Sequence, residues 1–109
     1  MTRFSSRKNK HGNAVEAAAQ AEAAKALAIA ALRFIAEAPE RLQAFLSLAG
    51  IDPQAIRAAA QEPGFLLGVL DHLAGDESLL LAFARENEID PGEVRVARSA
   101  LAEGNEEVS

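Results

Sequence analysis

Gly50-Ile51-Asp52-Pro53 recurs, altered, 38 positions further on as Glu88-Ile89-Asp90-Pro91. Each copy follows an amphipathic segment carrying a phenylalanine, Phe45 or Phe83, and precedes another helical pattern. Aspartate is a favoured N-cap because its carboxylate accepts from the orphan N–H groups of the first turn. Proline suits the next position, where a helix has no use for the missing N–H. Gly50 suits the left-handed residue that ends a helix. The stretch therefore reads as helix stop and helix start, used twice. Ile51 and Ile89 fit the hydrophobic-staple position, with Ile56 and Val94 as partners. Around the turns, Leu42, Ala44 and Phe45 match Leu80, Ala82 and Phe83, and Ile56-Arg57 parallels Val94-Arg95. With Glu88 in place of Gly50, Asn87 is expected to take the left-handed conformation.

Working outward, the chain reads as an all-α, compact domain of five to six helices built from two helix–turn–helix pseudo-repeats. Residues 1–12 form an expected disordered basic arm, 13–104 a single helical domain, and 105–109 an acidic disordered tail. Asn13 and Glu16 make a capping-box pattern opening a helix to about Glu37. Ala24, Leu27, Ala28, Ala31, Leu32, Phe34 and Ile35 share its apolar face, and Ile29 falls on the polar one. A second helix begins at Pro39 and buries Leu42, Phe45, Leu46 and Ala49. A third, from Pro53 to Gln61, buries Ile56, Ala59 and Ala60. Pro63-Gly64 breaks the chain. A fourth helix, to Ala74, carries Leu66, Val69, Leu70 and Leu73 and is expected to be the most buried. A fifth, capped by Asp76, is expected to hold Leu79, Leu80, Leu81, Phe83 and Ala84 buried or nearly so. The sixth turns Val94, Ala97 and Leu101 inward and ends at Gly104.

Composition bounds the chemistry. Half of the 109 residues are apolar, but 25 are alanine, which favours helix and buries little area. The core must come from 13 Leu, 5 Ile, 5 Val and 5 Phe. The absence of cysteine excludes disulfides, thiolate nucleophiles and Cys-based zinc sites. The most apolar run, Ala26 to Ala36, is too short and too charged to span a bilayer. The net charge of −5 is uneven: residues 1–15 hold Arg3, Arg7, Lys8 and Lys10 with no acid, leaving −9 on the remainder.

Residues from about Ala26 to Leu101 resemble a family of small bacterial proteins, mostly alphaproteobacterial, known only as a domain of unknown function. The resemblance rests on Pro39-Glu40-Arg41-Leu42, Phe45-Leu46, Gly50-Ile51-Asp52-Pro53, Phe65-Leu66, Val69-Leu70-Asp71, and Asp76-Glu77 followed by Leu79-Leu80 and Phe83. It implies a compact helical fold and a bacterial, cytoplasmic setting. It supplies no activity, cofactor or site residue.

Three functional readings arise from the residues. The favoured one is a non-catalytic protein–protein interaction or regulatory adaptor module, binding a protein partner or a second copy through Ile29, Arg33 and the alanine face before them. A smooth alanine surface lets another helix approach closely. The alternative is nucleic-acid binding by Arg3, Arg7, Lys8 and Lys10, with Arg57 on a recognition helix after the Ile51-Asp52-Pro53 turn. Against it, the body of the chain is acidic, and phosphate binding needs several Lys or Arg contacts. The third is an enzyme or metal site centred on His72, which lies beside Asp71 and near Asp76 and Glu77. Those acids read more simply as a cap and solvated positions, with His72 over Phe65 and Gly68. No nucleophile, phosphate-loop or dinucleotide motif is present, so no catalytic, cofactor or metal residue is expected.

Overall fold

The structure, a computed structural model, describes the backbone of residues 2–108 and the side chains of Glu16 and residues 18–103. Among these it is all-α, with six helices and no strand. The helices are α1 (Thr2–Ala36), α2 (Pro39–Ala49), α3 (Ile56–Ala59), α4 (Phe65–Ala74), α5 (Glu77–Glu86) and α6 (Pro91–Val108). A 3-10 turn, Pro53–Ala55, leads into α3. None is long and apolar enough to cross a membrane.

The two Ile-Asp-Pro turns share one backbone solution. In the first, Gly50 sits at φ 72°, the Ile51 N–H donates to the Leu46 carbonyl at 2.8 Å, and the Gly50 N–H donates to Ser47 at 3.2 Å. This is the paired-bond motif that closes a helix with a left-handed residue. In the second, the Ile89 N–H donates to Ala84 at 2.9 Å and the Glu88 N–H to Arg85 at 3.3 Å. The left-handed residue there is Glu88, at φ 55°, not Asn87. Asn87 stays at φ −98°, and its side-chain amide donates to the Phe83 carbonyl. The register of the repeat thus overrides the local preference of Asn for this conformation. Because a Cβ disfavours it, Glu88→Gly is expected to stabilise the protein by about 0.5–1 kcal/mol, offset in part by glycine's greater unfolded-state entropy. Chemical denaturation measures the gain, and a loss would show that the Glu88 side chain matters more than its backbone.

Helix starts follow the same logic. The Asp52 Oδ1 accepts from the Gln54 N–H at 2.9 Å, and Asp76 Oδ1 accepts from Leu79 at 3.1 Å. At Asp90 the arrangement is reciprocal: its Oδ1 accepts from Gly92, while Glu93 Oε2 accepts from the Asp90 N–H. That capping box is one reason the copies diverge downstream. The first copy has Ala55 where the second has Glu93, and only Ile56 and Ala59 to bury, so the expected helix from Pro53 to Gln61 shrinks to a 3-10 turn and one α-turn. The second copy presents Val94, Ala97 and Leu101 to the core and grows into an 18-residue helix. Asp52→Ala should cost about 1 kcal/mol in a urea titration; no loss would mean that the cap is dispensable.

The core is a single cluster. Val69, Leu70 and Leu73 on α4, Phe83 on α5 and Val94 on α6 are fully buried, with Ala28, Ala31 and Ile35 of α1 laid across them. α1 packs most extensively on α6 and then on α4. Phe34 meets Phe83 edge-on at 5.5 Å, and Phe45 meets Phe65 at 6.0 Å. Arg41 ties α2 to the end of α1: its guanidinium lies 3.9 Å over the Phe34 ring and donates to the Phe34 carbonyl at 2.9 Å. Several expected core residues lie outside. Ala49, Ala60 and Leu81 are exposed, since each sits a step beyond the stripe that its helix turns inward. Asn13 and Gly104 do not bound helices either: α1 and α6 run through both. A lone glycine costs a helix only about 1 kcal/mol, so neither Gly12 nor Gly104 forces a stop.

Candidate functional site: an apolar groove between the first and last helices

α1 carries alanine on two faces. Ala24, Ala28 and Ala31 are buried against the core. Ala23, Ala26 and Ala30, spaced at helical intervals on the adjacent face, form one wall of an open groove of about 530 Å³. Ala97 and Val96 of α6 form the other wall, and Ile89 of the second Ile-Asp-Pro turn closes one end. The groove exists because alanine ends at Cβ: α1 packs on α6 with Ala24 and Ala97 buried, and the flanking alanines leave space open beside them. Gln20, Asn87 and Glu93 are the polar residues in its lining; the others are apolar.

Val96 is 64% exposed beside this groove. It was missed in the sequence, although the reading of α6 with Val94, Ala97 and Leu101 inward already leaves Val96 facing away from the core. Ile29 is 44% exposed, as its place on the polar face of α1 suggested, and Arg33 is exposed on the same helix. Neither lines the groove, and both lie on the neighbouring face of α1.

Arg57 is exposed on α3, a helix of four residues. The recognition helix of the nucleic-acid reading is therefore one α-turn after a 3-10 turn, which offers few positions to a groove. Arg3, Arg7, Lys8 and Lys10 lie outside the residues whose side chains are described.

His72 is half-buried on α4, in keeping with the expected boundary position, and its ring meets Phe45 of α2 edge-on at 5.3 Å and 73°, a neighbour the sequence did not suggest. Phe45 meets both His72 and Phe65, since α2 packs against α4. Asp71, expected to be simply solvated, pairs with Arg98 and so links α4 to α6. The pair is about half-exposed, so its contribution is at most about 1 kcal/mol. Among the described residues no group of three or more His, Asp or Glu converges on a metal-sized site.

Comparison with curated proteins and with solved structures finds no match. The model of a family described as "Protein of unknown function (DUF3572)" matches residues 21–104, slightly more than the span over which the sequence resemblance was drawn. That match takes in part or all of every helix and every groove-lining residue except Gln20, and the chain belongs to this family.

Proposed function

We propose that the protein is a non-catalytic interaction module whose docking surface is the α1–α6 groove with Ile29 and Arg33 beside it. One observation carries this reading: an open apolar groove, walled by Ala23, Ala26, Ala30 and the exposed Val96, on an otherwise acidic body. Apolar surface left in water is costly unless a partner covers it. The alanine wall suits a helix as that partner, since small side chains let two helix axes approach closely. Residues 13–104 serve as the folded body, and segments 1–12 and 105–109 as basic and acidic appendages to it.

The experiment is site-specific photocrosslinking in the cells that express the protein. A crosslinker at position 96 or 29 is expected to give a discrete adduct, and one at Leu48, 79% exposed on α2, none. Ala26→Arg should erase the adduct while leaving helicity by circular dichroism intact. Adducts of equal yield at all three positions, or none at 96 and 29, would defeat the proposal. A salt titration of DNA affinity tests the nucleic-acid alternative: binding that weakens steeply with salt and vanishes on deleting residues 1–12 would favour it instead.

A further inference from the structure

We infer that the occupant of the groove is the α1 helix of a second copy of this chain, running antiparallel in a two-fold dimer; the inference rests on the groove being the docking surface. Its ground is charge complementarity along α1, on a seam that shares Ala23, Ala26 and Ala30 with the groove and extends beyond it at both ends. Glu16, Ala19, Ala23, Ala26, Ala30 and Arg33 follow one another at alternating steps of three and four residues, the spacing of a helix–helix seam. All are exposed except Ala30, which is half-buried. Read in reverse, the seam is its own complement. An antiparallel partner sets Glu16 against Arg33, Ala19 against Ala30 and Ala23 against Ala26, and the two-fold axis produces each pairing twice. A parallel partner in register would set Glu16 on Glu16 and Arg33 on Arg33, so charge fixes the direction.

The seam also accounts for the apolar surface around it. Leu27 flanks it on the side toward α6, where Ile89 and Val96 wall the groove, and Ile29 flanks it on the other side. A helix seated on the seam covers both flanks at once. The alanine core of the seam permits close approach, and the charged ends give register. From position 16 to position 33 the contact runs roughly 25 Å at 1.5 Å per residue, enough for nearly five helical turns. Glu16 and Arg33 are both exposed, as a contact with a second copy requires.

The test is sedimentation equilibrium on the full-length chain and on Glu16→Arg and Arg33→Glu, which alter exposed positions and leave the core untouched. The wild type is expected to dimerise, with affinity falling as salt rises. Each variant alone places like charges together at both ends and should dimerise about tenfold more weakly or worse. An equimolar mixture of the two restores opposite charges at both ends, and should form a heterodimer close to wild-type affinity. A wild type that stays monomeric at the highest concentration reached overturns the inference, and so does a mixture no tighter than either variant alone. Failure of the groove reading is separable. A chain that is monomeric yet crosslinks from position 96 to a different protein keeps the groove and loses only the self-pairing. A dimer indifferent to these charges, and unaffected by Ala26→Arg, loses both.

Discussion

Phe83→Ala is expected to lower the free energy of unfolding by about 3–5 kcal/mol. Phe83 is fully buried, and its ring edge meets Phe34 of α1, so truncation opens a cavity where α1 and α5 join and removes an aromatic pair. A small domain holds roughly 5–15 kcal/mol in all, and an alanine-rich chain of this size belongs toward the low end of that range. The variant should therefore show a urea midpoint cut by a third or more, with partial unfolding at 37 °C. Phe45→Ala, its counterpart in the first pseudo-repeat, is buried to nearly the same degree and should cost a similar amount. A loss below about 1 kcal/mol at Phe83 would mean that the cavity collapses freely and that the core is not packed as described.

Ala28→Leu should also destabilise strongly, by about 1–3 kcal/mol, through overpacking. Ala28 has no exposed surface and lies within the cluster that α1 shares with α4 and α6. Three added heavy atoms can be housed there only if α1 moves off the core. Ala26→Leu, two residues away on the groove wall, adds the same atoms to an exposed position and should stay within about 0.5 kcal/mol of wild type. Thermal unfolding of the two variants separates the faces of α1 directly. Equal effects at both positions would contradict the assignment of one face to the core and the other to the groove.

Much of the architecture was legible because it is written in local chemistry. Asp52, Asp76 and Asp90 cap helices as their positions suggested, and Gly50 closes α2. The stripe of Val69, Leu70 and Leu73 made α4 recognisable as the centre of the core. Errors gathered where local preference competes with packing. Asn87 is the better left-handed residue, yet Glu88 takes that conformation because the turn must deliver Ile89 to the core in the same register as Ile51. The helix after Pro53 shrank because it has too little apolar surface to bury. Leu81 looked like core by composition and faces solvent by phase.

The candidate site was less legible, for a single physical reason. Alanine marks helix without marking a face: Ala24, Ala26 and Ala28 are alike in sequence, and only the placement of α6 beside α1 makes the first and third core and the second a groove wall. Ile29 announced itself because a large aliphatic on a polar face breaks a pattern. Val96 gave a fainter signal, because α6 has to be docked before its outward side acquires a neighbour. The sequence by itself determined where helices begin and end around the two Ile-Asp-Pro turns, since capping is settled within four or five residues. It also determined most of the large side chains that form the core, Leu81 being the exception. Only the tertiary structure decided which alanines are buried and which lie open between α1 and α6, because that depends on the approach of two helices more than 50 residues apart in the chain.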